Sequence, residues 1–93
     1  MTETVEGEFA IRSEMGLHAR PAGQFVELAS RFASEIEVGR DGEWVDGRSV
    51  LSLLSLAAGT GSSLRIRATG PDAAEAVKAL GELLESVEVR TTR

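Results

Sequence analysis

The chain has 93 residues, of which 27% are charged, and ten Lys and Arg against fifteen Asp and Glu leave a formal net charge of −5. That length suits one small domain over residues 1–93 with its core over about 5–85, and the acidic balance argues against a nucleic-acid partner. The absence of cysteine and the single histidine rule out disulfides, thiolate zinc, thiol nucleophiles and any multi-histidine metal site within one chain.

No apolar run approaches the ~20 residues that cross a bilayer, so no membrane insertion is expected. The acidic start MTETVEGEFA lacks the apolar core of a signal peptide, and a cytoplasmic location is expected. Residues Val5 to Arg12 alternate, with Phe9 and Ile11 on one side, and predict a half-buried strand. Ser13 to Gly16 reads as a loop. Ala19 to Phe32 has helical spacing, with Ala22, Phe25, Val26, Ala29 and Phe32 on one face. Pro21 sits in its first turn, where a missing N–H costs nothing.

Ser34 to Arg40 predicts a second strand, through the alternating Ile36 and Val38. Asp41-Gly42 is a hairpin dipeptide. Glu43 to Asp46 returns as a strand, with Trp44 and Val45 on opposite faces. Ser49 predicts an N-cap for a short helix from Val50 to about Ala57, ended by Gly59 and Gly61. Ser63 to Thr69 is an amphipathic strand: Leu64, Ile66 and Ala68 face the core, and Arg65 and Arg67 face water. Glu35, Glu37 and Glu43 are candidates for cross-strand charge pairs with these arginines. Gly70-Pro71-Asp72 forms a turn into a last helix from Ala73 to about Leu84, with Ala76, Val77, Leu80, Leu83 and Leu84 as its stripe. The tail from Ser86 is expected to fray. The order βαββαβα, with helices on one sheet face, is an α+β open sandwich.

The lone His18 precedes the first predicted helix. Free N–H groups of Ala19 and Arg20 would point towards whatever the imidazole carries, and the helix dipole adds about half a positive charge. The Arg20 guanidinium is close in sequence and suits phosphate oxygens. Positive potential favours the neutral, nucleophilic ring, and the same donors would stabilise an anionic group once it is attached. Position alone is also met by a surface or capping histidine, and a helix-start arginine is commonly a solvated charge.

Gly16-Leu17-His18-Ala19-Arg20-Pro21-Ala22 resembles the active-site signature of the HPr family, histidine-containing phosphocarriers of the bacterial phosphotransferase system. The stretch from Asp46 to Leu56 resembles the family's regulatory-serine helix, and Thr69 to about Leu84 its closing segment. The resemblance spans about Val5 to Leu84. It implies a four-stranded antiparallel sheet covered on one face by three helices. It implies that His18, through Nδ1, takes a phosphoryl group from enzyme I, which draws on phosphoenolpyruvate. His18 then hands the group to an enzyme II A-type domain, in sugar uptake or the nitrogen-related branch. Arg20 would pair with the phosphate, and the backbone N–H groups of Ala19 and Arg20 would complete its cradle. The protein would be a relay and not an independent catalyst, without a cofactor, and a monomer like its family.

The resemblance gives Ser49 a second role, as a phosphoserine written by an HPr serine kinase/phosphatase; capping alone also accounts for a serine there. In the helix that follows, spacing suits Val50, Leu53 and Leu56 to the core and leaves Leu51 and Leu54 partly exposed. The resemblance makes Leu51 and Leu54, with Val50, partner-binding positions. Three positions depart from the family pattern. Met15 replaces a small polar residue common in the loop. Glu27 stands where some members have basic residues. Ser52 replaces the glycine common after the regulatory serine. An alternative reading is a regulatory binding module that acts through the Ser49 helix without phosphoryl relay.

Overall fold

The computed structural model describes residues 3–11, 19–56 and 61–85. It contains β1 (Glu3–Ala10), α1 (Ala19–Ala29), β2 (Glu35–Arg40), β3 (Glu43–Asp46), α2 (Val50–Ser55), β4 (Ser63–Gly70) and α3 (Ala73–Glu85). The expected βαββαβα order holds. The strands form one antiparallel sheet in the order β1-β4-β2-β3.

Alternation decides which strand residues enter the core. Ile36 and Val38 of β2 and Leu64, Ile66 and Ala68 of β4 are buried on one sheet face. They meet Ala22, Phe25 and Ala29 of α1, Leu53 of α2, and Ala76, Val77, Leu80 and Leu84 of α3. Phe25 is only 1% exposed, so truncating it to alanine would cost about 3–5 kcal/mol.

The Asp41-Gly42 turn behaves as its dipeptide predicts. Both residues have positive φ, 55° and 84°, as a two-residue turn matched to strand twist requires. It returns β3 so that Val45 lies opposite Val38 and Trp44 opposite Gly39. Val45 packs towards the core, while Trp44 lies on the open face. A Cβ at Gly39 would stand 2.7 Å from the Trp44 ring, so the glycine is what lets the indole lie against the strand. The Arg67 guanidinium covers that ring at 3.9 Å and also bonds Glu37 at 3.0 Å.

Several boundaries and two charge pairs differ from expectation, the strands β2 and β4 by a single residue each. Strand β1 starts at Glu3, because its backbone pairs with β4 along the whole of Ser63–Gly70, past the apolar stretch of its sequence. Helix α1 stops at Ala29, three residues before Phe32. Helix α2 ends at Ser55, and Gly61 does not end it: with φ 89°, Gly61 turns the chain into β4, its N–H bonding the carbonyl of Ile11 at 3.0 Å. Of the acidic residues offered for cross-strand pairs, only Glu37 takes the role. Glu35 lies opposite Thr69, and Glu43 opposite Arg40. Arg65 instead holds Glu6 of β1, with Nε to Oε2 at 2.6 Å, because β4 lies between β1 and β2. The expectations for Ser13 to Gly16, for Ala57 and Gly59, and for the tail from Ser86 lie outside the described residues.

Candidate functional site

Helix α1 begins at Ala19, the residue that follows His18 in the chain. His18 itself, like Met15, lies outside the described residues. An α-helix leaves its first four N–H positions without an intrahelical partner. Pro21 occupies one of these positions and has no N–H to satisfy, so the donors of Ala19 and Arg20 are the ones that open the helix. Both residues are exposed. No acidic side chain stands in the first turn to neutralise the positive end of the dipole. Among the described residues, Arg20 makes no hydrogen bond or ion pair. The arrangement is a cationic, solvent-facing helix start of the kind that receives an anion.

The other end of α1 is closed by long-range contacts. The sequence provides no basic residue in the last helical turn. After Ala29 the chain tightens, with Arg31 N–H to Leu28 O at 3.0 Å and Phe32 N–H to Ala29 O at 3.2 Å. Arg48, in the turn between β3 and α2, then reaches across. Its Nη2 donates to the carbonyls of Phe32 and Ser34 at 2.8 Å each and lies 3.4 Å from that of Ala29. The two short bonds tie the turn beyond the helix, and the longer one sets positive charge beside the last helical carbonyl, at the negative end of the dipole.

The N–H groups of the same turn are taken by Asp72, just before α3. Its carboxylate accepts from Ser34 Oγ at 2.6 Å, Ala33 N–H at 2.9 Å and Ser34 N–H at 3.0 Å. The Ser34 hydroxyl, then the Ala33 N–H, hold the Asp72 carboxyl below its ordinary value, against the opposing effect of partial burial. Ser34 is fully buried. Phe32, freed from the helix, packs against the core from the turn. These contacts explain why α1 stops where its apolar period would continue.

Helix α2 has only six residues and is secured at both ends. Ser49 is its N-cap, with extended φ −119° and ψ 115°, and its Oγ accepts the N–H of Ser52 at 3.2 Å. Arg40 Nη1 donates to the carbonyl of Leu56 at 2.7 Å. Leu53 and Leu56 are buried as the spacing requires, and Val50 is half-buried. Leu54 is half-buried, packed in part against the core, as the spacing suggests. Leu51 is 81% exposed, the one large apolar side chain so open among the described residues. Helices α1 and α2 pack against each other, which brings the element bearing Ala19 and Arg20 to the one bearing Ser49, Val50, Leu51 and Leu54. Glu27 sits on the exposed side of α1, within 3.9 Å of Arg31.

Sequence reading missed Arg48, Asp72 and Ser34 as a joined cluster. The available signal was indirect: a helix with no basic residue in its last turn needs donors from elsewhere.

A small antiparallel sheet of this order, with helices packed on one face and a cationic helix start following a lone histidine, is the architecture of a phosphocarrier. The comparisons with known proteins agree. A family model described as the PTS HPr component phosphorylation site matches residues 5–86. The chain is 42% identical over 81 residues to the HPr-like protein Crh of Halalkalibacterium halodurans, covering 87% of this chain and 96% of that one. It is 41% identical over 80 residues to the phosphocarrier protein HPr of Pseudomonas aeruginosa, covering 85% and 89%. A crystal structure of HPr from Bacillus anthracis superimposes with a TM-score of 0.85 at 39% identity, covering 88% of this chain and 98% of that one. The chain belongs to the HPr family of phosphotransferase-system phosphocarrier proteins. Among the described residues, no helix is long and apolar enough to cross a membrane.

Proposed function

We propose that this chain, acting as a single domain in the cytoplasm, carries a phosphoryl group on His18 between enzyme I and an enzyme II A-type domain. In the first transfer, Nδ1 of His18 attacks phosphorus; the new N–P bond forms as the bond to enzyme I breaks. In the second transfer, the N–P bond breaks as the acceptor bonds phosphorus. The observation that carries this reading is the start of α1 one residue after His18, with Arg20 exposed and the first turn free of acid. The N–H groups of Ala19 and Arg20 and the Arg20 guanidinium would hold the phosphoryl oxygens.

Partner docking falls to Leu51, with Val50 and Leu54 beside it on α2. The exposure of Leu51 supports this, because a large apolar side chain in water finds use in an interface. Ser49, already an N-cap, is the proposed phosphoserine of an HPr serine kinase/phosphatase. A dianion there would sit beside the docking residues and repel an acidic partner. The protein acts as a monomer: edge strand β1 carries the exposed Glu3 and Glu8, charges of the kind that discourage pairing with another edge. The acceptor belongs to sugar uptake or to the nitrogen-related branch, and transfer to each acceptor domain in turn separates the two.

The test mixes the protein with cognate enzyme I, Mg²⁺ and phosphoenolpyruvate. Acid-labile phosphate should appear on the wild type and vanish in His18→Ala. Absence of phosphate with a competent enzyme I would overturn the carrier reading. It would favour a binding module acting through the Ser49 helix, to which the exposed Leu51 is equally suited.

A further inference from the structure

We propose that Arg48 is a positioning residue for phosphoryl transfer, holding the docking helix α2 in place against α1. The inference rests on the carrier reading above and adds a residue that the reading does not contain. Arg48 stands directly before the N-cap Ser49, and its own N–H is held by Asp46 Oδ1 at 2.9 Å. Its backbone therefore belongs to the entry of α2. Its guanidinium belongs to the exit of α1, on the carbonyls of Phe32 and Ser34 at 2.8 Å, with that of Ala29 at 3.4 Å.

The neighbouring side chains that hold these elements reach elsewhere. Arg40 fixes the far end of α2, but to β2. Asp72 fixes the α1–β2 turn, but to α3. Helix α2 is too short to hold its place by its own hydrogen bonds. Without the guanidinium it would stay capped by Ser49, anchored by Leu53 and tied to the sheet through Arg40, but would lose its charged tie to the exit of α1. A partner that engages the start of α1 and Leu51 together needs both helices in one arrangement. If that arrangement is only partly populated, apparent affinity falls by the populated fraction, while the reacting groups at His18 and Arg20 are untouched.

The experiment measures steady-state phosphorylation by enzyme I and phosphoenolpyruvate, with the carrier as varied substrate. Wild type comes first: no phosphate on wild type defeats the carrier reading itself, before Arg48 is in question. With wild type active, Arg48→Met should raise KM about five- to tenfold and leave kcat within about twofold. Arg48→Lys keeps the charge but concentrates the donors on one nitrogen, and should give a smaller rise. It also supplies the measurement should Arg48→Met fail to fold. Asp72→Asn loosens the same turn from the α3 side and serves as the stability control. It should lower the melting temperature and leave KM unchanged. Unchanged KM in both Arg48 variants would overturn the proposal. So would an equal rise in Asp72→Asn at a matched loss of melting temperature, since Arg48 would then act through stability alone.

Discussion

The two ends of α1 differ in how their backbone groups are satisfied. At the end, carbonyls and N–H groups of residues 29–34 are taken by Arg48 and Asp72, side chains from two other parts of the chain. At the start, Ala19 and Arg20 are exposed, and among the described residues no side chain neutralises them. The same backbone chemistry has been used twice, once internally and once towards solvent. The contrast shows how a small domain can afford a reactive terminus: long-range contacts fix the helix from behind, and the unfilled donors in front remain for a ligand. Loosening the closed end should therefore show in stability and, through Arg48, in the KM for the carrier, whereas damage at the open end should show in the transfer rate itself.

The largest expected effect is on stability, at the closed end. Gly70 has φ 154°, and a Cβ there would lie 2.5 Å from Ser34 Oγ and 2.6 Å from Ser34 Cα. Ser34 cannot retreat, because Asp72 and Arg48 hold it from both sides. Gly70→Ala should therefore destabilise the fold by about 3 kcal/mol in urea titration. The fraction that remains folded should still take phosphate at the wild-type rate. A loss of rate per folded molecule would mean that the two ends are not separate.

The next effect belongs to the open end and should spare stability. Arg20→Ala removes an exposed side chain with no described partner, so the melting temperature should stay at the wild-type value. Phosphoryl transfer should slow about 10- to 100-fold, as expected for the loss of one charged donor to a transferring group. Normal transfer by this variant would assign the anion-holding role to the backbone N–H groups alone.

Much of this contrast was legible in the sequence at one end only. Pro21 in a first turn and His18 just before it mark the start of α1 by local rules, and Ser49 marks the start of α2 in the same way. Asp41-Gly42 dictates its own turn. The end of α1 was misplaced, because the apolar period runs on to Phe32 while the backbone does not. What stops the helix is Arg48 and Asp72, respectively 16 and 38 residues from the positions they bond. Similarly, Arg65 chose Glu6 because of strand order, which no local pattern contains. Local chemistry fixes caps and turns; partners set by topology become visible only once strands are placed. The roles of His18 and Arg20 came from the motif they share with the HPr family, since spacing alone fits a capping histidine equally well.

The smallest expected effect is a pH dependence confined to the closed end. Asp72 is ionised in the fold with its carboxyl held below the ordinary value of 3.8, by Ser34 Oγ first and Ala33 N–H next. A folded-state value below the unfolded one means that the unfolded chain binds the proton more readily, so protonation favours unfolding. The contribution of Asp72 is thus complete above the ordinary aspartate value and is lost as pH falls through the lowered one. In Asp72→Asn the melting temperature should fall at neutral pH by less than in Gly70→Ala. The gap between wild type and variant should close on acidification, because protonation removes the negative charge and the second acceptor oxygen that the variant already lacks. Melting curves of both proteins from neutral pH to below 3.8 check this. A gap that persists unchanged into acid would mean that the Asn amide itself disturbs the turn and that the charge of Asp72 does not stabilise it. The charged part of the closed end would then be the Arg48 guanidinium on the turn carbonyls, and both ends of α1 would be governed by an arginine, one turned inward and one towards solvent.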